Sequence, residues 1–187
     1  GGTPATYHYV VWVDVTQTPP RAQFLLNQSD TTQRIVNATR FGNFPIDGYI
    51  LLVAWANSAT GELGISVNLR EDTITGWDGS MLNQGLSNGH LGRLNNVNFG
   101  HLRGRMDEVA FFPGVVLTPG QRVALFNNGF GQANLLSLPM PSLLTGLDHY
   151  YSWEDITVPV DDEIGTVDLT FGVGTPTQIP GRSEEHT

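Results

Sequence analysis

The apolar residues of this chain come in short runs separated by turn-forming residues, and this spacing constrains the fold more than any other feature. The longest run, Tyr49–Ala56, is far shorter than the roughly 20 residues of a membrane-spanning helix. Glu62–Leu69 alternates apolar and polar residues, which is the period of a half-buried strand. Gly and Pro are abundant, as in chains of many short strands joined by turns. The pattern predicts an all-β fold and no membrane insertion.

The strand pattern extends along most of the chain. Gly48–Ala56 and Glu62–Leu69 are predicted to form a hairpin through the turn at Asn57–Gly61, and residues 71–89 are predicted to form a loop. The first strand is predicted at Tyr7–Val15, with one face formed by Tyr7, Tyr9, Val11, Val13 and Val15. Further strands are predicted at Ala22–Leu26, Arg34–Ala38, His90–Arg93, Arg105–Phe112, Asp148–Trp153 and Thr166–Phe171.

One short helix is predicted near residues 118–128. Thr118 is a good N-cap, Pro119 suits the first helical position, and Gln121 completes a capping box. Asn128 and Gly129 supply the C-terminal cap. The apolar face of this helix is predicted to consist of Val123, Ala124 and Phe126.

Many short strands and a single helix, without a β-α-β rhythm, predict an antiparallel β-sandwich. Residues 133–147 are rich in Leu, Pro and Ser and are typical of a linker. We therefore expect a sandwich body over residues 1–133, a linker over 134–145 and a further group of strands over 146–187.

The charge of the chain limits its partners. Its nine cations are all Arg and are outnumbered by 18 carboxylates, which gives a net charge of −9. Such a surface repels phosphate backbones, so we expect no nucleic-acid partner. There is no Cys, which excludes disulfides and thiolate metal sites. The chain opens on Gly1 and Gly2 rather than Met, so we expect a segment upstream of it. A mature secreted or virion-surface product fits this start, and so does an excised fragment; we expect an extracellular or virion-surface location.

Four segments within residues 48–133 match, in combination, the motifs of one known superfamily. Tyr49–Leu69 is similar to its hairpin W-x-x-V-A-W … G-x-L-x-I-x-V-N, and Leu91-Gly92 to its L-x-I-G strand. Gly104–Phe112 is similar to G-x-I-D-E-V-x-I-Y, and Val116–Asn127 to x-L-T-x-x-E-I-x-x-L-Y-N, the short helix that closes this fold. By these motifs residues 48–133 resemble the laminin-G-like (concanavalin A-like lectin/glucanase) jelly-roll superfamily. The resemblance implies a jelly-roll sandwich, a fold that hosts many unrelated functions.

The chain departs from this family in the position of one element. Residues 146–155 and 161–170 resemble the segment with which family domains open, here placed after the body. Those strands can complete their own sandwich, complete a neighbouring copy by strand addition, or begin a second repeat. The assembly strands predicted from this displacement carry Tyr150, Tyr151, Trp153, Val167, Leu169 and Phe171.

No residue pattern points to catalysis. The glucanase branch of the family needs paired carboxylates spaced as E-x-D-x-E on one strand, and that spacing does not occur here. Asp107 and Glu108 are adjacent, so they face opposite sides of a strand. We therefore expect a protein that is not an enzyme, with glycoside hydrolase kept as a second alternative.

Calcium is the one cofactor that the sequence leaves open. The five His do not form a zinc-binding motif. Family members often hold calcium between loops through Asp, Asn and carbonyl oxygens. By that resemblance Asp107, Asp161 and Asp162 are candidate ligands, although the stretch 161–165 lacks the alternating acids of an EF-hand.

Trp77 is the best-placed residue for a sugar, because it lies in a Gly- and Asp-rich stretch beside Asp78. Lectin-like proteins stack sugars on aromatic rings and bind them through Asn and Asp. Asn95 and Asn96 are further candidate ligand-binding residues. The alternative role for Trp77 is a loop anchor that packs on the sandwich.

These observations lead to one main interpretation and its alternatives. The chain is interpreted as a non-catalytic structural or adhesion module that self-associates, through strand exchange into a filament or shell. A glycan or a protein is a further candidate ligand. The first alternative is a lectin-like carbohydrate-binding module.

Overall fold

The structure, a computed structural model, describes residues 9–14, 17–40, 50–81, 108–129, 135–137, 144–152, 161–166 and 168. The chain divides into two compact units, Gly1–Asn88 and Gly89–Thr187. Among the described residues the secondary structure is three small antiparallel sheets and one short α-helix, which confirms the all-β prediction. The predicted strands at His90–Arg93 and Thr166–Phe171 lie wholly or largely outside the described residues. The boundaries predicted at 133 and 145 remain predictions.

The first sheet contains β1 (Tyr9–Asp14), β2 (Arg21–Asn27) and β3 (Gln33–Asn37), in that order. Its register places Val11 opposite Phe24, and Phe24 opposite Val36. Directly opposite residues point to the same face of an antiparallel sheet. The odd-numbered face of β1 is therefore the same face that β2 buries through Ala22, Phe24 and Leu26.

The second sheet contains β4 (Leu52–Asn57), β5 (Glu62–Val67) and β6 (Arg70–Ile74), also in sequence order. The pairing of β4 with β5 confirms the predicted hairpin. The loop predicted for residues 71–89 is wrong over its first four positions, because Glu71–Ile74 belong to β6. The sequence did not predict this strand because Arg70, Glu71 and Asp72 are all charged. As an edge strand, β6 shows little alternation of apolar and polar residues.

One hydrophobic cluster joins the buried sides of these two sheets. Alternation places Leu63, Ile65 and Val67 on one face of β5, and each is 0% exposed. The cluster consists of Ala22, Phe24, Leu26, Val36, Ala38, Leu63, Ile65, Val67 and Trp77. Each sheet links its strands in sequence order as a meander, so these strands do not by themselves define jelly-roll connectivity.

On the other face of β5, the side chain of Trp55 covers Gly64. Trp55 lies directly opposite Gly64 in the β4–β5 ladder. A Cβ atom at position 64 would overlap the six-membered ring of Trp55. The indole is 7% exposed, and its N–H donates to Glu62 Oε1 at 2.9 Å. Gly64 is therefore required so that the ring can lie flat against the strand.

The second unit contains β7 (Val109–Phe111), α1 (Pro119–Phe126) and β8 (His149–Tyr151). The two strands pair antiparallel, with Ala110 opposite Tyr150. Buried Leu117, Leu135 and Tyr150 form a small core against which Ala110, Phe112, Val115, Leu125, Leu136, Leu144 and Leu147 pack.

The helix α1 begins as the sequence predicts, but it buries a different face. The Thr118 and Gln121 side chains form a reciprocal capping box, and Asn127 ends the helix in the left-handed conformation. Val123, predicted to be on the apolar face, is 55% exposed, so this prediction is wrong. Arg122 is 4% exposed instead, and its guanidinium donates to the carbonyl oxygen of Leu117.

Candidate functional site

The outer strand of the first sheet, β1, presents apolar side chains to solvent. Tyr9 is 52% exposed, Val11 is 40% exposed and Val13 is 37% exposed. These three residues, called here the β1 stripe, continue the buried face of β2 beyond the area that the hydrophobic cluster covers. Among the described strands β1 pairs only with β2, so its other backbone edge lies on the outside of the sheet.

The other edge strands of this unit are protected by means that β1 lacks. β6 carries the charged run Arg70-Glu71-Asp72, and β3 is five residues long with Gln33 and Arg34 at its start. β4 is as apolar as β1, but none of its residues is exposed. Charge, shortness and cover are the usual defences of a sheet edge. Five of the six residues of β1 are apolar, and its one charged residue, Asp14, is the last.

The segment around Trp77, predicted to bind a sugar, is folded onto the core. Trp77 is 7% exposed and belongs to the hydrophobic cluster. Its backbone N–H donates to Gly61 O at 3.0 Å, and its indole N–H donates to Ser80 O at 2.6 Å. In this position the ring has no open face for a sugar, so stacking would require the segment to lift away. The geometry is that of the loop anchor, the alternative role of this residue.

Asp78 stays at the surface beside Trp77. Its Oδ1 accepts the backbone N–H and the hydroxyl of Ser80, at 2.8 and 2.6 Å. These hydrogen bonds, led by that from the Ser80 side chain, lower the pKa of Asp78. Ser80 Oγ in turn accepts from Ser29 Oγ at 2.9 Å. A ligand role for Asp78 remains a prediction, and Asn95 and Asn96 lie outside the described residues.

Residues 161–166, called here the acidic turn, are organised around the buried side chain of Asp162. Its Oδ1 accepts three backbone N–H groups, from Tyr150 at 3.1 Å, Ile164 at 3.3 Å and Gly165 at 2.9 Å. Its Oδ2 lies 2.5 Å from His149 Nδ1. A Cβ at Gly165 would overlap this carboxylate, so only glycine lets the turn close here.

The donors around Asp162 bear on the predicted calcium site. A calcium ligand needs oxygen lone pairs that face a common space, whereas both oxygens of Asp162 are occupied by N–H groups or the imidazole. Asp161 is exposed, and Asp107 lies outside the described residues. Within the ranges that the structure describes, no three His, Asp or Glu side chains form a group that could hold a metal ion. The calcium role of these three residues remains a prediction.

His149 is held on both sides by carboxylates. Its Nδ1 faces Asp162 and its Nε2 lies 3.2 Å from Asp148 Oδ2. Its ring also meets Phe111 edge to face, with centroids 6.4 Å apart. A catalytic His needs one nitrogen directed at a substrate or nucleophile. Here both nitrogens face carboxylates, and the contact of Nδ1 with Asp162 links the acidic turn to β8.

Two of the predicted assembly residues, Tyr150 and Tyr151, lie in β8 and are almost fully buried. The Tyr150 hydroxyl accepts the Leu135 N–H at 3.0 Å and donates to Glu108 Oε2. Burial, followed by the Glu108 hydrogen bond, raises the pKa of Tyr150. Burial also raises the pKa of Tyr151, together with the negative charges of Asp162 and Asp168.

The remaining predicted assembly residues cannot be placed in this way. Trp153, Val167, Leu169 and Phe171 lie outside the described residues. The part of the displaced segment that the structure describes, β8, pairs with β7 of the same chain, with Val109 opposite Tyr151.

An open depression of about 470 Å³ lies where the end of the first sheet meets the β5–β6 turn, and sequence reasoning did not find it. Its described lining consists of Arg40, Leu69, Arg70 and Glu71. Arg70 donates to the Arg40 carbonyl at 3.2 Å, and the Arg40 guanidinium lies 3.7 Å from Asp72 Oδ1. The turn is strained, because Leu69 has a φ of 68°. No spacing rule reveals this site, since Arg40 and Arg70 meet only in the folded chain.

No model of a protein family matches this chain, and neither a curated protein nor a solved structure matches it. The helices formed by the described residues are all too short or too polar to cross a membrane.

Proposed function

We propose that this chain is a non-catalytic structural or adhesion module, at an extracellular or virion surface, that self-associates through strand pairing. The observation that carries the proposal is the β1 stripe. It lies on an edge strand that contains no Pro, carries its one charge at its last residue, and pairs on one side only among the described strands. Unprotected edges template pairing with further strands, and folded proteins usually suppress this. An edge that keeps both its apolar side chains and its outward backbone groups is suited to assembly.

The fold included in this proposal is the laminin-G-like, concanavalin A-like jelly-roll sandwich. Two antiparallel sheets that share one cluster, and a capped helix after β7, are compatible with it. The pairing of β8 with β7 favours the interpretation in which the displaced strands complete their own chain. Under that interpretation assembly uses a surface that the folded module already presents, and it need not exchange strands.

The test is sedimentation velocity over a wide range of chain concentrations. We expect the wild type to shift from monomer to larger species as concentration rises. Val11→Glu puts a charge in the centre of the β1 stripe and should keep the chain monomeric. The matched control is Ile35→Glu, because Ile35 is similarly exposed, at 38%, on the opposite edge strand. A wild type that stays monomeric throughout would remove the proposal.

The hydrolase alternative receives little support from the acidic residues. The Glu163 carboxylate accepts from the Ser152 hydroxyl, and Asp162 anchors the acidic turn. These groups are engaged in holding the chain together, whereas a glycosidase directs two carboxyl groups at one bond. Turnover on a panel of β-glucans would restore this alternative.

A second candidate function, binding of acidic glycans, is favoured by the depression near Arg70. Arg40 and Arg70 both line this depression, and guanidinium groups bind carboxylate or sulfate through paired hydrogen bonds. An acidic ligand would compete there with Glu71, which also lines the depression, and with Asp72, which faces Arg40. Arg40 and Arg70 are two of only nine cations in a chain of net charge −9. A glycan array, probed with and without calcium, should then show acidic ligands that Arg70→Gln loses. A Trp77-dependent neutral binder would instead support the lectin-like alternative.

A further inference from the structure

The edge strand β1 has a side-chain pattern that is symmetric about its third residue. Tyr9 and Val13 lie two positions on either side of Val11, and all three point to the exposed stripe. Antiparallel pairing of two identical strands is a two-fold arrangement, in which residue i meets j and residue j meets i. A strand whose apolar residues are symmetric about one position is complementary to itself.

We propose that β1 pairs with β1 of a second copy of this chain, antiparallel, on a two-fold axis at Val11. Val11 then lies opposite Val11 of the second copy, and Tyr9 lies opposite its Val13. The inference deepens the proposed self-association by naming its surface, partner and register. Because opposite residues share a face, the stripes of both copies lie on one side of a continuous six-stranded sheet.

Other registers leave the exposed residues worse covered. An axis at Trp12 places Val10 opposite Asp14 and leaves Tyr9, the most exposed residue of the stripe, beyond the end of the partner strand. With an axis between Val11 and Trp12, the β1 stripe of one copy lies on the same side of the joined sheet as the stripe-free face of the other copy, so the two stripes do not meet. A shift of one residue has this effect because side chains alternate with a period of two. Only the axis at Val11 places all three exposed residues opposite residues of the partner strand.

The second copy is also favoured by what the other strands offer. A free edge strand can pair only with another strand whose edge is accessible, and β3, β4 and β6 are short, covered or charged. Among the described edge strands β1 exposes three large apolar side chains, whereas β3 exposes one, Ile35. The partner of β1 is thus another β1.

The pairing should be weak and sensitive to salt. Six residues a side form an interface well below the roughly 1,200 Å² of stable complexes, which is typical of transient contacts. Each copy carries a net charge of −9, so the copies repel each other at low ionic strength. Added salt should therefore strengthen the association, whereas an interface built on ion pairs would weaken.

The absence of Cys from the sequence makes disulfide cross-linking a clean test. Facing residues of an antiparallel pair have Cα atoms about 4.5–5.5 Å apart, within the range that a disulfide spans. Val11→Cys should therefore cross-link with itself under mild oxidation. Val13→Cys alone should not, since four residues, or about 14 Å, separate the two copies of position 13. A mixture of Tyr9→Cys and Val13→Cys chains should cross-link as a heterodimer.

The control is Ile35→Cys, which reports random collisions at a similarly exposed site. We expect Val11→Cys to cross-link about tenfold faster than this control, because pairing raises the effective concentration of the two thiols. Self-cross-linking of Trp12→Cys instead would overturn the register. Self-cross-linking of both Tyr9→Cys and Val13→Cys would show parallel pairing and overturn the antiparallel geometry.

Sedimentation of the same variants in reduced form separates this inference from the proposed function. If the chain associates but Val11→Cys cross-links no faster than Ile35→Cys, the β1–β1 pairing is wrong while self-association stands. If no variant associates at any concentration, both fail. The expected result is association of the wild type together with the cross-linking pattern centred on Val11.

Discussion

The two units of this chain hold their strands by different physical means. In the first unit the buried positions of β5 are Leu63, Ile65 and Val67, and an apolar cluster joins two sheets. In the second unit Tyr150 of β8 donates hydrogen bonds to the carboxylates of Asp162 and Glu108, and its ring belongs to a small core. Apolar burial is non-directional, whereas buried polar groups need particular partners. We therefore expect the first unit to be destabilised mainly by substitutions that leave cavities. The second unit should be destabilised mainly by substitutions that leave buried hydrogen-bond donors or acceptors unpaired.

The largest expected effect tests the apolar side of this comparison. Ile65→Ala removes a side chain that is 0% exposed, so it should lower the free energy of unfolding of the first unit by about 2–5 kcal/mol. The measurement is a urea titration followed by tryptophan fluorescence, in which Trp55 and Trp77 report on this unit. Ile35→Ala, at a 38% exposed site, should cost far less. Equal losses at both positions would contradict the assignment of the core.

The polar side of the comparison is tested by Asp162→Ala. The change removes the acceptor of three backbone N–H groups, and each unsatisfied donor costs about 1–3 kcal/mol unless water reaches it. Because the turn can open to solvent, we expect a loss of about 3 kcal/mol, confined to the second unit. Hydrogen exchange at Gly165 and Tyr150 should accelerate. The matched control, Asp161→Ala at an exposed acid, should change little.

A smaller effect is expected from Tyr150→Phe, and it depends on pH. At neutral pH the change should cost about 1–2 kcal/mol, because the buried Leu135 N–H loses its acceptor. The raised pKa of Tyr150 means that its proton is held more tightly in the folded chain than in the unfolded chain. The stabilising contribution of this hydroxyl is therefore fully present below about pH 10, the pKa of Tyr in the unfolded chain, and it decreases as the pH rises beyond that value.

The pH dependence of stability above pH 10 separates the contribution of the Tyr150 hydroxyl from that of its ring. Wild-type stability should fall by up to about 1.4 kcal/mol per pH unit from this one group above pH 10. Tyr150→Phe should show a shallower fall, with the remainder contributed by Tyr151, whose pKa is also raised. Urea midpoints measured between pH 8 and 11 provide the comparison. Identical slopes in the two proteins would mean that Tyr150 is exposed to solvent.

The smallest effect is expected at the start of α1. Thr118→Ala removes the side chain that caps the helix, which should cost about 1 kcal/mol in the second unit. Thr118→Ser keeps the hydroxyl and should recover most of this loss. A Thr118→Ala variant as stable as the wild type would show that packing alone holds the helix.

The sequence predicted those elements whose signals are local. The capping box at Thr118 and the alternation of Glu62–Leu69 involve residues within a few positions of each other, and both elements formed. β6 was missed because Arg70, Glu71 and Asp72 follow no apolar alternation. The buried Arg122 was missed because its placement depends on the tertiary environment, which overrides the preference of Val123 for the interior.

Much of the candidate site depended on contacts that are distant in sequence. Tyr150 and Glu108 are 42 residues apart, and no spacing rule links them. Alternation predicted that Tyr9, Val11 and Val13 share a face. It could not predict that this face remains exposed, because exposure depends on how far the second sheet extends. Trp77 shows the same limit, since a Trp in a polar segment is compatible both with a binding surface and with an anchor.

The pair formed by Trp55 and Gly64 also constrains how this chain can vary in evolution. Any side chain at position 64 displaces the indole, and a smaller residue at position 55 exposes the backbone of a bare glycine. Each change alone should be harmful, while a joint replacement by two medium-sized residues should restore part of the packing. Substitutions at these two positions should therefore be inherited together, and a lineage that loses the tryptophan should also lose the glycine.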